Sequence, residues 1–222
     1  LHVVSVGESR IDMAIGDLEK LSNPSVGLSA KAGQIDIRIA AKAATRSGAK
    51  RLTAEIEQHV RERVGENIFG ADEDTLEGVI AGLLADQHTT LASVELGTGG
   101  LIGGRLSGAQ NQSFRGGLVL SDYKALHRSL PNAQDDESNQ SAVIEAARGI
   151  REVHKSDLGL AAILREAANH QGLRLFVALV TQDNVETLLR GFGGHSGLAA
   201  QWASNIALGL VWKFLKARDV EE

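Results

Sequence analysis

The sequence has no cysteine, which excludes disulfide bonds, thiol catalysis and any metal or cluster held by thiolates. Basic residues are also few for a nucleic-acid-binding protein. Its 23 Lys and Arg are outnumbered by 28 Asp and Glu, which gives a formal net charge of −5. A broad nucleic-acid footprint needs a basic surface. We therefore expect no nucleic-acid partner. The absence of cysteine suits a cytoplasmic protein, which is the location we expect.

Long hydrophobic runs are missing as well. The longest candidate, "ASNIALGLVWKFL", is interrupted by Asn205 and Lys213 and is too short for a membrane span. The first residues, "LHVVSVGESR", lack the basic start and apolar core of a signal peptide. We expect no membrane association. The chain begins at Leu1 rather than Met, which we interpret as the start of a fragment of a longer protein.

Metal ligands are not grouped in the sequence. The seven histidines are scattered, and no two have the spacing of a helical ligand pair. We expect no metal site and no cofactor. Apolar residues make up 43% and charged residues 23%, as in ordinary globular domains.

Residues 1–71 read as a small α+β domain. "VVSV" is a strand, and "ESRIDMAIGDLEKLS" has helical spacing of its apolar residues. "VGLSAKA" and "QIDIRIAAKA" form a hairpin around Gly33, because Ile and charged residues alternate in the second segment. A charged amphipathic helix and the short strand "NIFGA" follow. The order is β-α-β-β-α-β, a split β-α-β arrangement.

Residues 72–222 alternate between strand and helix patterns, which predicts an α/β layered domain. The strand "TTLASVEL" leads into "GTGG", and the apolar segment "LIGGRLSG" reads as a helix. Helix N-terminal amides have no intrahelical partners and attract anions. The predicted ligand-binding residues are Glu95, Gly97, Thr98, Gly99 and Gly100.

Two structural alternatives stay open for this loop. The glycines can serve a tight turn and close packing instead of a ligand. Glu95 can be a former site residue or a buried carboxylate that caps the same helix.

Several segments resemble one family. "GESRIDMAIGDLEKLSNPSVGLSAKAGQIDIRIAAKA" resembles the KH-like middle domain of CinA, the competence/damage-inducible protein A family. "TTLASVELGTGG" and "QSFRGGLVLS" resemble its C-terminal domain. The resemblance implies a KH-like domain over 1–71 and an α/β/α nicotinamide mononucleotide deamidase-like domain over 72–222. The family's N-terminal molybdopterin-binding-like domain is absent from this sequence.

The resemblance also implies a catalytic pattern from which this sequence departs. The family loop is "AESCTGG", with serine as the nucleophile, and here that serine position is Leu96. The supporting tyrosine and lysine of a later "YSN..K" segment fall on Ser121 and Leu126 without gaps. A family "TGIAGP" loop is replaced at its Thr, Gly and Pro positions by Ile163, Leu164 and Ala168.

We therefore predict a deamidase-like domain that has lost catalysis and serves assembly or the binding of a nucleotide similar to nicotinamide mononucleotide. The alternative is an active amidohydrolase that uses Thr98 as nucleophile, with Tyr123 or Lys124 in support. The two hypotheses differ in geometry. Catalysis needs an open pocket that joins these residues, whereas Leu96 and Leu126 would fill it in a non-catalytic domain.

The KH-like region lacks the loop with which KH domains clamp RNA. Residues 1–71 contain no two glycines in G-x-x-G spacing. We interpret this domain as a connector that contributes to a homodimer interface. Trp202 and Trp212 are ten residues apart on the last predicted helix and point in different directions, so one can meet a partner subunit; burial of both in a monomer core is the alternative.

Overall fold

The computed structural model describes residues 1–109, 112–130, 140–167 and 172–219. The chain divides into two compact units, Leu1–Thr75 and Leu76–Glu222. We predicted a boundary after residue 71, and the structure divides the chain just after Thr75. Within the described ranges, every helix is too short or too polar to cross a bilayer.

The first unit has the predicted β-α-β-β-α-β order. Its elements are β1 (His2–Val4), α1 (Glu8–Ile15), β2 (Ser25–Lys31), β3 (Gln34–Ala40), α2 (Arg46–Val64) and β4 (Ile68–Gly70). The strands form one antiparallel sheet in the order β2-β3-β1-β4. The predicted hairpin is confirmed: β2 and β3 are joined by a tight turn at residues 32–33.

The core of the first unit follows from two periodicities. Ile35 and Ile37 on β3 are buried, while the alternating charged residues Asp36 and Arg38 are exposed. On α2, Ile56, Val60 and Val64 are spaced four apart and form one buried stripe. A sheet face with period two therefore packs against a helix face with period near 3.6.

The second unit is an α/β domain, as predicted. Its elements are α3 (Leu76–Asp86), β5 (Leu91–Leu96), α4 (Leu101–Gly108), β6 (Phe114–Leu120), α5 (Tyr123–Ser129), α6 (Gln140–His154), β7 (Leu158–Glu166), β8 (Leu173–Val180), β9 (Val185–Phe192) and α7 (Ala199–Asp219). The sheet order is β6-β5-β7-β8-β9. β6, β5 and β7 are parallel, and β8 and β9 are antiparallel to their neighbours.

The strand β5 lies inside this sheet and is buried along its whole length. Val94 and Leu96 belong to the apolar cluster that α6 covers. Ser93 and Glu95 face the other way, toward Gly103 of α4. Burial on both faces explains why β5 reads as an almost continuous apolar run. It also places Glu95 where a charge must find partners.

Candidate functional site

The glycine loop joins β5 to α4 at the carboxyl edge of the parallel strands, where ligands commonly bind in open α/β sheets. Gly97 has a φ of +81°. A Cβ at Gly97 would lie 2.1 Å from the carbonyl oxygen of Leu164, so no other residue fits there. The loop backbone therefore packs directly against the end of β7. This contact supports the structural interpretation of the glycine at that position.

Glu95 occupies the helix N-terminus that the sequence predicted to hold an anion. Its Oε2 accepts a hydrogen bond from the Ile102 amide at 3.1 Å, and its Oε1 accepts one from the Gly103 amide at 2.6 Å. The side chain is almost completely buried. A carboxylate on these amides complements the positive end of the helix dipole. The protein's own charge thus binds the amides that an external anion would need.

Thr98 takes part in the same arrangement. Its hydroxyl is fully buried and donates to Glu95 Oε2 at 2.6 Å. Within the described residues, this hydroxyl makes no hydrogen bond to Tyr123 or Lys124, the supporting groups of the enzymatic hypothesis. Gly97 and Gly99 are the exposed residues of the loop, and Gly100 is half-buried.

The nucleophile position is part of the hydrophobic core. Leu96 lies in the apolar cluster that also contains Leu126 and Ile163. Only 7% of Leu96 and 1% of Leu126 is exposed. The positions that the resemblance assigns to a serine and a lysine are therefore both filled by packed leucines. Ala168, which stands at the proline position of the family "TGIAGP" loop, lies outside the described residues.

The start of α5 separates the two predicted supporting groups. Tyr123 packs against the same apolar cluster, whereas Lys124 is exposed. Asp122 caps this helix by accepting a hydrogen bond from the Ala125 amide at 2.7 Å. That bond is the main reason why the pKa of the Asp122 carboxyl is lowered. Neighbouring helical residues point about 100° apart, so the two side chains do not converge.

A polar network fixes α4 behind the loop. The Arg105 guanidinium donates to Glu77 Oε2 at 2.7 Å and 3.1 Å. Its remaining nitrogen donates to the Ser204 hydroxyl at 3.0 Å and the Asn205 Oδ1 at 2.7 Å. These contacts join α4 to α3 and α7. The helix that Glu95 caps is thereby joined to two neighbouring helices.

Sequence reasoning missed two arginines at the same edge of the sheet. Arg165 on β7 and Arg174 on β8 are direct cross-strand partners. Each stands next to an apolar run, in "AAILRE" and "LRLFVALV". A charged residue at the end of an apolar run is the only signal that the sequence offers for each arginine. The pairing of the two arginines depends on the register between the two strands.

Residues 1–70 match the family model of the damage-inducible protein CinA KH domain. A Moorella thermoacetica relative, named as a competence-damage inducible protein, is 32% identical over 98% of this chain and 56% of its own length. The chain belongs to the CinA family. The family membership predicted from the sequence motifs is confirmed.

Other members of the CinA family agree with this assignment. A CinA-like protein of Deinococcus deserti is 30% identical over 99% of this chain and 54% of its own length. The chain therefore spans about half the length of these curated relatives.

Solved structures show the same fold for the larger part of the CinA-family chain. A competence or damage-inducible protein from Enterobacter asburiae has a TM-score of 0.56 at 19% identity, covering 64% of this chain and 99% of its own. A CinA-superfamily protein from Escherichia coli has a TM-score of 0.57 at 20% identity, covering 66% and 94%.

Proposed function

We propose that residues 76–222 form a deamidase-like domain without amidohydrolase activity, which serves nucleotide binding or assembly within a longer CinA-family protein. The observation that carries this proposal is the burial of Leu96 at the nucleophile position. Covalent amide hydrolysis requires a hydroxyl or thiol with a base beside it. A packed leucine offers neither an attacking atom nor a proton.

Two further contacts support the proposal. Leu126 fills the position of the supporting lysine and packs in the same cluster as Leu96. The nearest loop hydroxyl, Thr98, donates to Glu95 and has no exposed surface. Water and substrate would both need access to that oxygen in the enzymatic hypothesis.

The test is ammonia release from nicotinamide mononucleotide by the full chain. A CinA-family protein with an intact "ESCTGG" loop serves as the positive control. We expect no turnover above the buffer rate. Calorimetric titration with the same nucleotide separates the two remaining roles: measurable binding supports a ligand site, and no binding supports assembly. Turnover at a rate near that of the control would contradict the proposal.

One observation favours an enzymatic alternative. The 2.6 Å contact between the Thr98 hydroxyl and the Glu95 carboxylate has the form of a nucleophile beside a base. If ammonia is released, Thr98→Val should abolish the activity and Thr98→Ser should retain part of it. Activity that survives Thr98→Val would exclude this residue as the nucleophile.

For the first unit we propose a connector that contributes to a homodimer. Light scattering of the full chain at two concentrations tests the assembly. A mass of two chains that persists on dilution is the expected result. A monomer at both concentrations would contradict the dimer.

A further inference from the structure

Two arginine side chains lie next to the row of side chains that crosses the sheet at Leu96. Leu96 is paired with Ile163, and Ile163 with Phe176. Two residues further along β7, Arg165 is paired directly with Arg174, which lies on the same face of the sheet. Side chains of direct cross-strand partners start about 5 Å apart at their Cβ atoms. Both guanidinium groups can therefore reach one small ligand.

The two charges are not neutralised by the protein that the structure describes. Over the described ranges, no carboxylate lies within 4.0 Å of either guanidinium. Like charges directly opposite on neighbouring strands destabilise a sheet. Among the described residues, Arg165 Nε is, in addition, a buried donor that has no hydrogen-bond acceptor. A buried donor without an acceptor carries a further free-energy cost.

The orientation of Arg165 is set by an aromatic ring. Its guanidinium carbon lies 5.0 Å from the centroid of the Phe176 ring. A cation–π contact of this kind holds the guanidinium over the ring face. Arg174 is exposed, and Arg165 is half-buried. One donor group is therefore preorganised, and the other is free to close on a ligand from the solvent side.

The third strand leaves room beside the pair. Arg174 is paired with Gly191 on β9, and a Cβ placed at Gly191 would have no atom of the described residues within 4 Å. The space next to the exposed guanidinium is thus open on the glycine side.

We propose that Arg165 and Arg174 form a binding site for a phosphate monoester group. A dianion balances two guanidinium charges, and each guanidinium can donate two parallel hydrogen bonds to phosphate oxygens. A carboxylate, with one charge, leaves the pair half-neutralised. The site rests on the nucleotide-binding role proposed above and names the ligand group that is bound. It requires no hydrolysis, so it does not depend on whether the amide of the nucleotide is cleaved.

The experiment is a calorimetric titration of the full chain with inorganic phosphate, and separately with acetate, at constant ionic strength. We expect phosphate to bind and acetate to bind more weakly. Arg165→Gln and Arg174→Gln should each weaken phosphate binding by about tenfold or more, the loss expected for a charge-assisted contact. Equal binding of acetate and phosphate would overturn the assignment.

Arg190→Gln is the matched control. Arg190 lies on the neighbouring strand β9 and is paired with Leu175, so its side chain is on the opposite face from Arg174. The variant removes the same charge at the same edge of the sheet. Phosphate affinity should be unchanged. An equal loss in all three variants would mean that net charge alone is responsible, which would overturn the proposal.

Thermal unfolding gives a second readout that a merely structural arginine would not produce. Without phosphate, Arg174→Gln should raise the melting temperature, because the variant removes repulsion from Arg165. Phosphate should raise the melting temperature of the wild type and raise that of the variant much less at the same concentration. Absence of a phosphate effect on the wild type would overturn the site. Ammonia release from nicotinamide mononucleotide would contradict only the non-catalytic proposal, since inorganic phosphate contains no amide.

Discussion

At the scale of single residues, Glu95 decides what the glycine loop can do. Its carboxylate accepts hydrogen bonds from Thr98, Ile102 and Gly103, so its oxygens are engaged by the loop and the helix that follow it in the chain. A buried carboxylate is tolerated only with such partners. The loop thus contains its own anion.

The hydroxyl of Thr98 should therefore contribute to stability. Thr98→Val keeps the shape of the side chain and removes one of the donors to the buried Glu95 carboxylate. We expect the free energy of unfolding to fall by about 1–3 kcal/mol, the usual cost of removing a bond to a buried charged group. Urea denaturation measures the change, and Thr98→Ser, which keeps the donor, is the control. A loss below a few tenths of a kcal/mol would contradict the buried cap.

Asp157, which also lies in the second unit, makes the free energy of unfolding depend on pH. Its Oδ2 accepts hydrogen bonds from the Thr90 hydroxyl at 2.6 Å and the Thr90 amide at 2.8 Å. The bond from the Thr90 hydroxyl is the main cause that lowers the pKa of the Asp157 carboxyl. A lowered pKa in the folded state means stabilisation above the unfolded pKa of about 3.9. That stabilisation is lost as the pH falls through the folded pKa.

Thr90→Val should remove most of this effect. The wild type should exceed the variant in free energy of unfolding at about pH 7, and the difference should shrink as the pH falls below about 4. Urea unfolding across this range measures the difference, with Thr90→Ser as the control that keeps the hydroxyl. A gap that stays constant with pH would mean that Thr90 acts through packing alone.

At the scale of elements, Arg105 joins three helices. Its bonds to Glu77, Ser204 and Asn205 connect α4 with α3 and α7, and 22% of each side chain of the Arg105–Glu77 pair is exposed. Partial burial reduces solvent screening, so this pair should be worth more than a surface ion pair. The position of α4, and with it the Glu95 cap, depends on this network.

A double-mutant cycle with Glu77→Gln and Arg105→Gln measures the coupling. We expect about 1–2 kcal/mol in the free energy of unfolding. The matched comparison is Glu57 and Arg61 on α2, whose side chains are 40% and 46% exposed. That pair should give at most about 0.5 kcal/mol. Equal coupling in the two cycles would contradict the role given to Arg105.

The elements were largely predictable because each carries its own period. The alternation of Ile35 and Ile37 on β3 and the helical stripe on α2 are local signals. The two possible roles of Glu95 could not be separated locally, since the direction of its side chain depends on how α4 packs on the sheet. The pairing of Arg165 with Arg174 was missed because cross-strand register is not written in either strand alone.

At the scale of the whole molecule, each compact unit has its own sheet and its own apolar cluster. The solved Enterobacter asburiae chain aligns over 99% of its own length with 64% of this chain, so a related fold forms in a chain that lacks the remainder. A unit with its own core can fold alone. We therefore expect residues 76–222, expressed without the first unit, to unfold cooperatively.

Thermal denaturation followed by circular dichroism checks this expectation. The separate unit should show a single sharp transition, and its phosphate affinity should equal that of the full chain. Residues 1–75 expressed alone provide the complementary sample, which should not bind phosphate. A broad, non-cooperative transition of the larger piece would contradict its independence.

The close contact between Gly97 and the Leu164 carbonyl has a consequence for how this sequence can vary. A Cβ there would lie 2.1 Å from that oxygen, whereas one at Gly99 would meet no atom within 4 Å in the part of the chain that the structure describes. Gly99 has a φ of +67°, a conformation that asparagine adopts at modest cost. In a library that samples every amino acid at both sites, folded survivors should keep glycine at 97 and admit asparagine at 99. Gly97 is restricted by its contact with β7, whereas Gly99 is restricted only by its own backbone conformation.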